Sequence, residues 1–180
     1  MTRNLQSRDD VAVTPVEAQS DIIAFAQRMY PKYDPQPHHI MIAEHLQAVA
    51  RGDLDRLVIT MPPRMGKSEL ASVNFPAWYL GNYPDNRIIG ASYGDTLARR
   101  FSRRARNMLF DARWPWPELK PARDSAAVNE WDIEGRRGGM TAAGVGGPIT
   151  GKGADLLLID DPVKSAADAD SATARENVWE

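Results

Sequence analysis

The chain has 180 residues and no cysteine; 43% of it is hydrophobic, 26% is charged, and 22 Lys+Arg against 24 Asp+Glu leave a formal charge of -2. Such a length can bury roughly 70% of its unfolded surface in one core; the missing cysteines exclude a disulfide scaffold and thiolate-held zinc, and no apolar run nears the roughly 20 residues of a membrane span. The near-neutral balance argues against a globally basic nucleic-acid binder while leaving room for a local basic stripe, and the composition predicts a soluble, intracellular protein with no membrane role.

Residues 1–13 are polar and aperiodic and read as a loose tail. Thr14-Pro15-Val16-Glu17 has the form of a capping box, and Ile22, Ile23, Phe25, Ala26 and Met29 follow at helical spacing, so one helix is expected to run to about Met29. Pro31, Pro35 and Pro37 break it, and a second amphipathic helix is expected from about His38 to Ala50, with Ile40, Ile42, Leu46 and Val49 inward and Gly52 as its stop. Residues 14–55 thus read as an N-terminal helical segment.

From residue 56 the rhythm becomes strand, turn, helix. Leu57 to Thr60 is a β-branched strand candidate, and a helical stretch to about Leu80 follows. Arg87 to Ala91 reads as a second strand and Asp95 to Phe110 as a second helix, after which Pro115, Pro117 and Pro121 mark an irregular crossing. Val128 to Ile133 and Gly139 to Ala143 flank Glu134-Gly-Arg-Arg-Gly as a hairpin candidate. Leu156 to Ile159 is uniformly apolar, as in a parallel strand covered on both faces. Alternating strands and helices predict an α/β, doubly wound, mainly parallel sheet over residues 56–180.

Met61-Pro-Pro-Arg-Met-Gly66-Lys67-Ser68 has the Walker A form, with Met61 where the first glycine is usual. In such a loop, backbone N–H groups and the positive end of the following helix cradle phosphates, so Pro63, Arg64, Met65, Gly66, Lys67, Ser68 and Glu69 are candidate ATP-binding residues. Lys67 would meet the β and γ phosphates and Ser68 would ligate Mg²⁺. The second half of the site is Asp160-Asp161, at the end of the apolar run Leu156 to Ile159. There Asp160 would hold Mg²⁺ and Asp161 would activate water, although two acids before Pro162 equally suit a turn.

These residues, together with His38-His39, Ala91-Ser-Tyr-Gly-Asp-Thr-Leu-Ala and Gly146-Gly-Pro-Ile-Thr-Gly-Lys-Gly-Ala-Asp, make residues 30–180 resemble the ATPase domain of the large terminase subunit of tailed bacteriophages. The resemblance implies a P-loop NTPase fold of the ASCE type, incomplete at its C-terminus. It implies a motor that hydrolyses ATP with Mg²⁺ to thread double-stranded DNA into a procapsid. It further implies a homo-oligomeric ring, a portal protein and a small terminase subunit as partners, and action in the host cytoplasm and transiently at the portal vertex. The family's nuclease domain is not expected in this chain. On this resemblance Lys67, Arg64, Asp160 and Asp161 are the catalytic residues, with Arg64 near the γ phosphate, Asp161 standing where glutamate is more usual, and His39 or Gln47 contacting adenine. A helicase-like ATPase and an inactive prophage remnant are the alternatives. His38, His39 and His45 have no nearby acid except Glu44, a poor set for a metal site.

Arg99, Arg100, Arg103, Arg104 and Arg106 crowd the helix after the second strand. Arg99, Arg100, Arg103 and Arg104 are candidates for DNA phosphate or for a finger reaching a neighbouring subunit's ATP, against the simpler reading of a solvated face. Tyr93 is either a DNA contact or core, and the glycine-rich stretch Gly144 to Gly153 either a functional loop or a plain crossing. The tryptophans read as packing, with Leu97, Phe101, Ala105, Met108 and Leu109 as the helix's inward face.

Overall fold

The computed structural model describes residues 12–147, 149 and 151–173. Most of the expected tail, Pro148 and Thr150 of the glycine-rich stretch, and residues 174–180 lie outside the described residues. The capping box forms as its sequence predicts: Glu17 N–H donates to Thr14 Oγ1 and Thr14 N–H donates to Glu17 Oε2, opening α1 (Pro15–Ser20). The single helix expected to Met29 is divided, because Asp21 is extended and its carboxylate accepts the Ala24 N–H over 2.8 Å, starting α2 (Ile22–Met29) afresh. Next, α3 (Pro37–Arg51) ends at Gly52, whose φ of 79° terminates the helix as a glycine can. Its inward face differs from the expectation at one position. Ile40 is 46% exposed, whereas Ile42, Ala43, Leu46 and the ring of His39 are buried.

The remaining helices are a π-helical segment (Glu69–Asn74) running into α4 (Phe75–Asn82), then α5 (Asp95–Met108) and α6 (Ala166–Asp170). Proline at position 76 has no N–H and clashes with a carbonyl four residues back, so a wider turn ahead of it relieves the ladder. There the Phe75 N–H donates to Leu70 O, and the Asn74 side-chain amide donates to Glu69 O over 2.7 Å.

Among the described residues, five strands form one sheet: β1 (Arg87–Ser92), β2 (Pro121–Ala126), β3 (Glu130–Ile133), β4 (Gly139–Gly144) and β5 (Leu156–Ile159), in the order β2-β3-β4-β1-β5. The α/β class holds, but the sheet is mixed: β4-β1-β5 is parallel and β2-β3-β4 antiparallel. The expected hairpin is β3-β4, while β2 occupies the expected irregular crossing. Its antiparallel partner β3 supplies the ladder that its own polar sequence does not announce.

Two strand expectations are corrected. Leu57 to Thr60 pairs with no strand among the described residues. Leu57 and Ile59 lean on the core and Val58 is 86% exposed, the alternation of an extended chain that lacks a ladder partner. A groove of 760 Å³ separates this segment from β5. Among the described residues β5 lies at the edge of the sheet and only one of its faces is packed: Leu156 is buried, but Leu157 and Ile159, on the other face, are 57% and 58% exposed.

The core gathers Ile22 and Phe25 from α2, Phe75 and Leu80 from α4, and Trp131 and Met140 from the sheet. On α5, Ala98, Ser102 and Ala105 are buried, as is Leu109 at its C-terminal cap, with Leu97, Phe101 and Met108 beside them half-buried. Trp78, Trp114, Trp116 and Trp131 are all buried, as expected of packing residues. Among the described residues, no helix is long and apolar enough to cross a membrane.

Candidate functional site

The parallel strands β1 and β5 end side by side, and their ladder continues past both ends. Asp160 N–H donates to Ala91 O over 2.9 Å, and Tyr93 N–H donates to Asp161 O over 3.0 Å. Main-chain bonds therefore fix both acids at the carboxyl edge of the sheet, where open α/β sheets accept ligands. Asp160 is buried, at 7% exposure, whereas Asp161 is exposed and adopts a φ of 49°, which L residues other than Asn, Asp and His seldom do.

Across that edge lies the loop Met61 to Ser68. Gly66 has a φ of 81° and Arg64 one of 64°. Among the described residues, the backbone N–H groups of Arg64, Met65 and Gly66 have no hydrogen-bond partner within the chain. The helix that follows starts at Lys67, so its first N–H groups are also free of intrahelical acceptors. A run of unpartnered N–H groups opening a helix is suited to an anion. Pro63, Arg64 and Met65 are exposed, and Gly66, Lys67, Ser68 and Glu69 half-buried.

The two halves meet through Lys67. Its Nζ donates to Asp161 Oδ1 over 2.9 Å and lies 3.4 Å from Asp160 Oδ1. Partial burial works against the ammonium, but the hydrogen bond to Asp161 and the two carboxylate charges outweigh it, so the Lys67 pKa stands above the ordinary lysine value. The second oxygen of Asp160 accepts a 2.7 Å hydrogen bond from Ser72 Oγ, one turn along the helix from Ser68. Ser72 is a site residue that sequence reasoning missed. Its only signal is the spacing of four from Ser68, which carries no chemistry by itself.

His39 sits beneath the loop, its Nε2 2.9 Å from Met65 O, with His38 Nε2 3.2 Å from the same oxygen. Gln47 lies elsewhere: its side-chain carbonyl accepts the Ile22 N–H over 3.0 Å, capping α2. Glu69 and Arg104 face each other in a bidentate pair, both bonds 2.7 Å, which ties the start of the loop's helix to α5. Along α5, Arg99 pairs with Asp95 at 2.5 Å and Arg106 donates to the Ala126 carbonyl. Arg100 and Arg103 are exposed and have no partner among the described residues. Tyr93, at the same edge, is 42% exposed rather than core.

The donor set fits a hard cation beside a polyphosphate. Ser68 and Asp160 offer oxygen only, and among the described residues no group of three or more His, Cys, Asp or Glu could hold a metal unaided. Magnesium is bound in this manner, through one or two carboxylates with phosphate and water completing its shell.

A search of curated proteins found no match. Among family models, that of the terminase large subunit, T4likevirus-type, N-terminal, matches residues 58–180, more than half of the chain and the whole span from the loop to the paired acids. The chain therefore belongs to this terminase large subunit family, which implies a role in phage DNA packaging.

Proposed function

We propose that the chain binds ATP with Mg²⁺ at the loop Met61 to Ser68 and hydrolyses it to drive double-stranded DNA into a procapsid. In this reading it works as a P-loop motor in a homo-oligomeric ring, with a portal protein and a small terminase subunit as partners. The observation that carries the reading is the meeting of Lys67 with Asp160 and Asp161 across the sheet edge, beside a run of unpartnered N–H groups.

The chain's own residues divide the work as their geometry allows. The N–H groups from Arg64 onward bind phosphate oxygens, and Lys67 turns from the carboxylates to the β and γ phosphates. Once released, Asp161 is free to orient a water and accept its proton, while Asp160, held by Ser72, keeps one oxygen for the cation. The chemistry magnesium supplies when bound is neutralisation of charge on the phosphates. Arg64, exposed on the loop, adds positive charge near the terminal phosphate in this reading.

The test is Mg²⁺-dependent phosphate release by the purified chain, alone and with double-stranded DNA, alongside binding of a fluorescent ATP analogue. Lys67→Ala should abolish both binding and release. A wild-type chain that binds no analogue at millimolar concentration overturns the proposal.

A further inference from the structure

The loop that would receive phosphates rests on the start of α3, and His39 forms the joint. This ring is buried, at 8% exposure, and both of its nitrogens are engaged. The Gln36 N–H donates to Nδ1 over 3.0 Å, and Nε2 lies 2.9 Å from Met65 O. A nitrogen that accepts carries no proton, so the ring proton sits on Nε2 and is donated to the Met65 carbonyl. The same ring fills the space beside Gly66, where an added Cβ would stand 2.4 Å from Nε2. Tyr33 packs behind it, ring centroids 5.6 Å apart.

A carbonyl and the N–H that follows it share one planar trans peptide and point in opposite directions. Anchoring the Met65 carbonyl on α3 therefore turns the Gly66 N–H away from α3 and leaves it unpartnered. We propose that His39 is a positioning residue of the phosphate loop, whose Nε2–H fixes the Met65–Gly66 peptide so that the loop is set for a polyphosphate before one binds. The proposal rests on the nucleotide reading of the loop. It directs His39 to the phosphates rather than to the base, since both ring nitrogens are already bonded and neither is left to read adenine.

Two half-replacements separate the bonds. In His39→Gln the side-chain amide nitrogen comes near the place of Nε2 and can still donate to Met65. In His39→Asn the amide lies near the place of Nδ1, so the cap on α3 is kept and Met65 is out of reach. The affinities of ATP, GTP and inorganic tripolyphosphate should all fall by the same factor in His39→Asn, about tenfold for one lost hydrogen bond in the loop. His39→Gln should stay within about threefold of wild type. Hydrogen exchange at residues 65–68 should quicken in the asparagine variant alone.

A loss confined to ATP would make His39 a base reader and overturn the proposal. So would wild-type affinities and exchange in His39→Asn, or equal losses in both variants. If His39→Asn does not fold, His39→Gln decides alone: retained affinities for all three probes with unchanged exchange support the proposal, and a loss overturns it. If wild type binds none of the three probes, the nucleotide reading fails, and the exchange comparison still decides whether His39 sets the loop.

Discussion

The Lys67 ammonium donates to Asp161 Oδ1 over 2.9 Å, joining two residues that are 94 positions apart in sequence and only a hydrogen bond apart in space. In the proposed reaction Lys67 must leave this carboxylate before it can serve a nucleotide. Asp161→Asn should therefore affect binding and turnover differently. Analogue affinity should be retained or slightly improved, because a competing negative charge is gone, while turnover should fall by about 10²- to 10⁴-fold through loss of the base. Steady-state kinetics with a direct binding measurement separate the two. Turnover at the wild-type rate would remove Asp161 from the chemistry.

Ser72 Oγ donates to Asp160 Oδ2 over 2.7 Å, and both residues are 7% exposed. Removing the donor strands a buried carboxylate oxygen, which costs more than an ordinary hydrogen bond contributes. Ser72→Ala should lower the unfolding free energy by about 1–3 kcal/mol, read from the urea midpoint at constant slope. A midpoint unchanged from wild type would mean that water replaces the hydroxyl without loss.

The sequence signals that held are local. The capping box at Thr14, the glycine stop at Gly52 and the β3-β4 hairpin each depend on a few neighbouring residues, and the loop and the paired acids, singled out by their spacing, are brought together at one sheet edge through Lys67. What failed depends on distant partners. Leu57 to Thr60 has strand composition, but strand is a property of pairing, and none forms among the described residues. Conversely, Pro121 to Ala126 is polar and becomes a strand because β3 lies beside it. Ile40 was expected inside α3, yet it stands two residues from Ile42 and so on another side of the helix, while His39, three before Ile42, shares the buried face. Ser72 with Asp160, and Glu69 with Arg104, are bonds between separate elements, for which a lone sequence has no marker.

Tyr33 offers a test at alkaline pH. Its hydroxyl is buried without a hydrogen-bond partner among the described residues. Burial, with the Glu69 charge adding to it, pushes its pKa up to about 12. The unfolded chain releases this proton near pH 10, whereas the folded one keeps it until about 12. Stability should then fall as pH rises across that window, since the unfolded state binds fewer protons there. Tyr33→Phe keeps the ring against His39 and removes the stranded hydroxyl. It should be neutral or stabilising by up to about 1 kcal/mol at pH 7, with a shallower decline from pH 10 to 12. Urea titrations at several pH values check both, and a variant less stable than wild type at pH 7 would show that the hydroxyl has a partner in solution.

On α5 the arginines fall into two groups, and only one is available to DNA. Arg99, Arg104 and Arg106 are held by Asp95, Glu69 and the Ala126 carbonyl, whereas Arg100 and Arg103 have no partner among the described residues. Each phosphate contact that releases a counterion contributes about 0.9 to the slope of log affinity against log salt. Replacing Arg100 and Arg103 together with alanine should lower that slope by about 1.8 on duplex DNA, measured by anisotropy between 50 and 200 mM salt. Arg104→Ala should leave the slope nearly unchanged. Because the Glu69 pair is about 40% exposed, it should cost no more than about 1 kcal/mol of stability. If Arg100 and Arg103 instead reach a neighbouring subunit's nucleotide, the double variant would lose ATP turnover with its salt slope intact. Mixing it with Lys67→Ala subunits would then restore activity only where an intact arginine faces an intact loop.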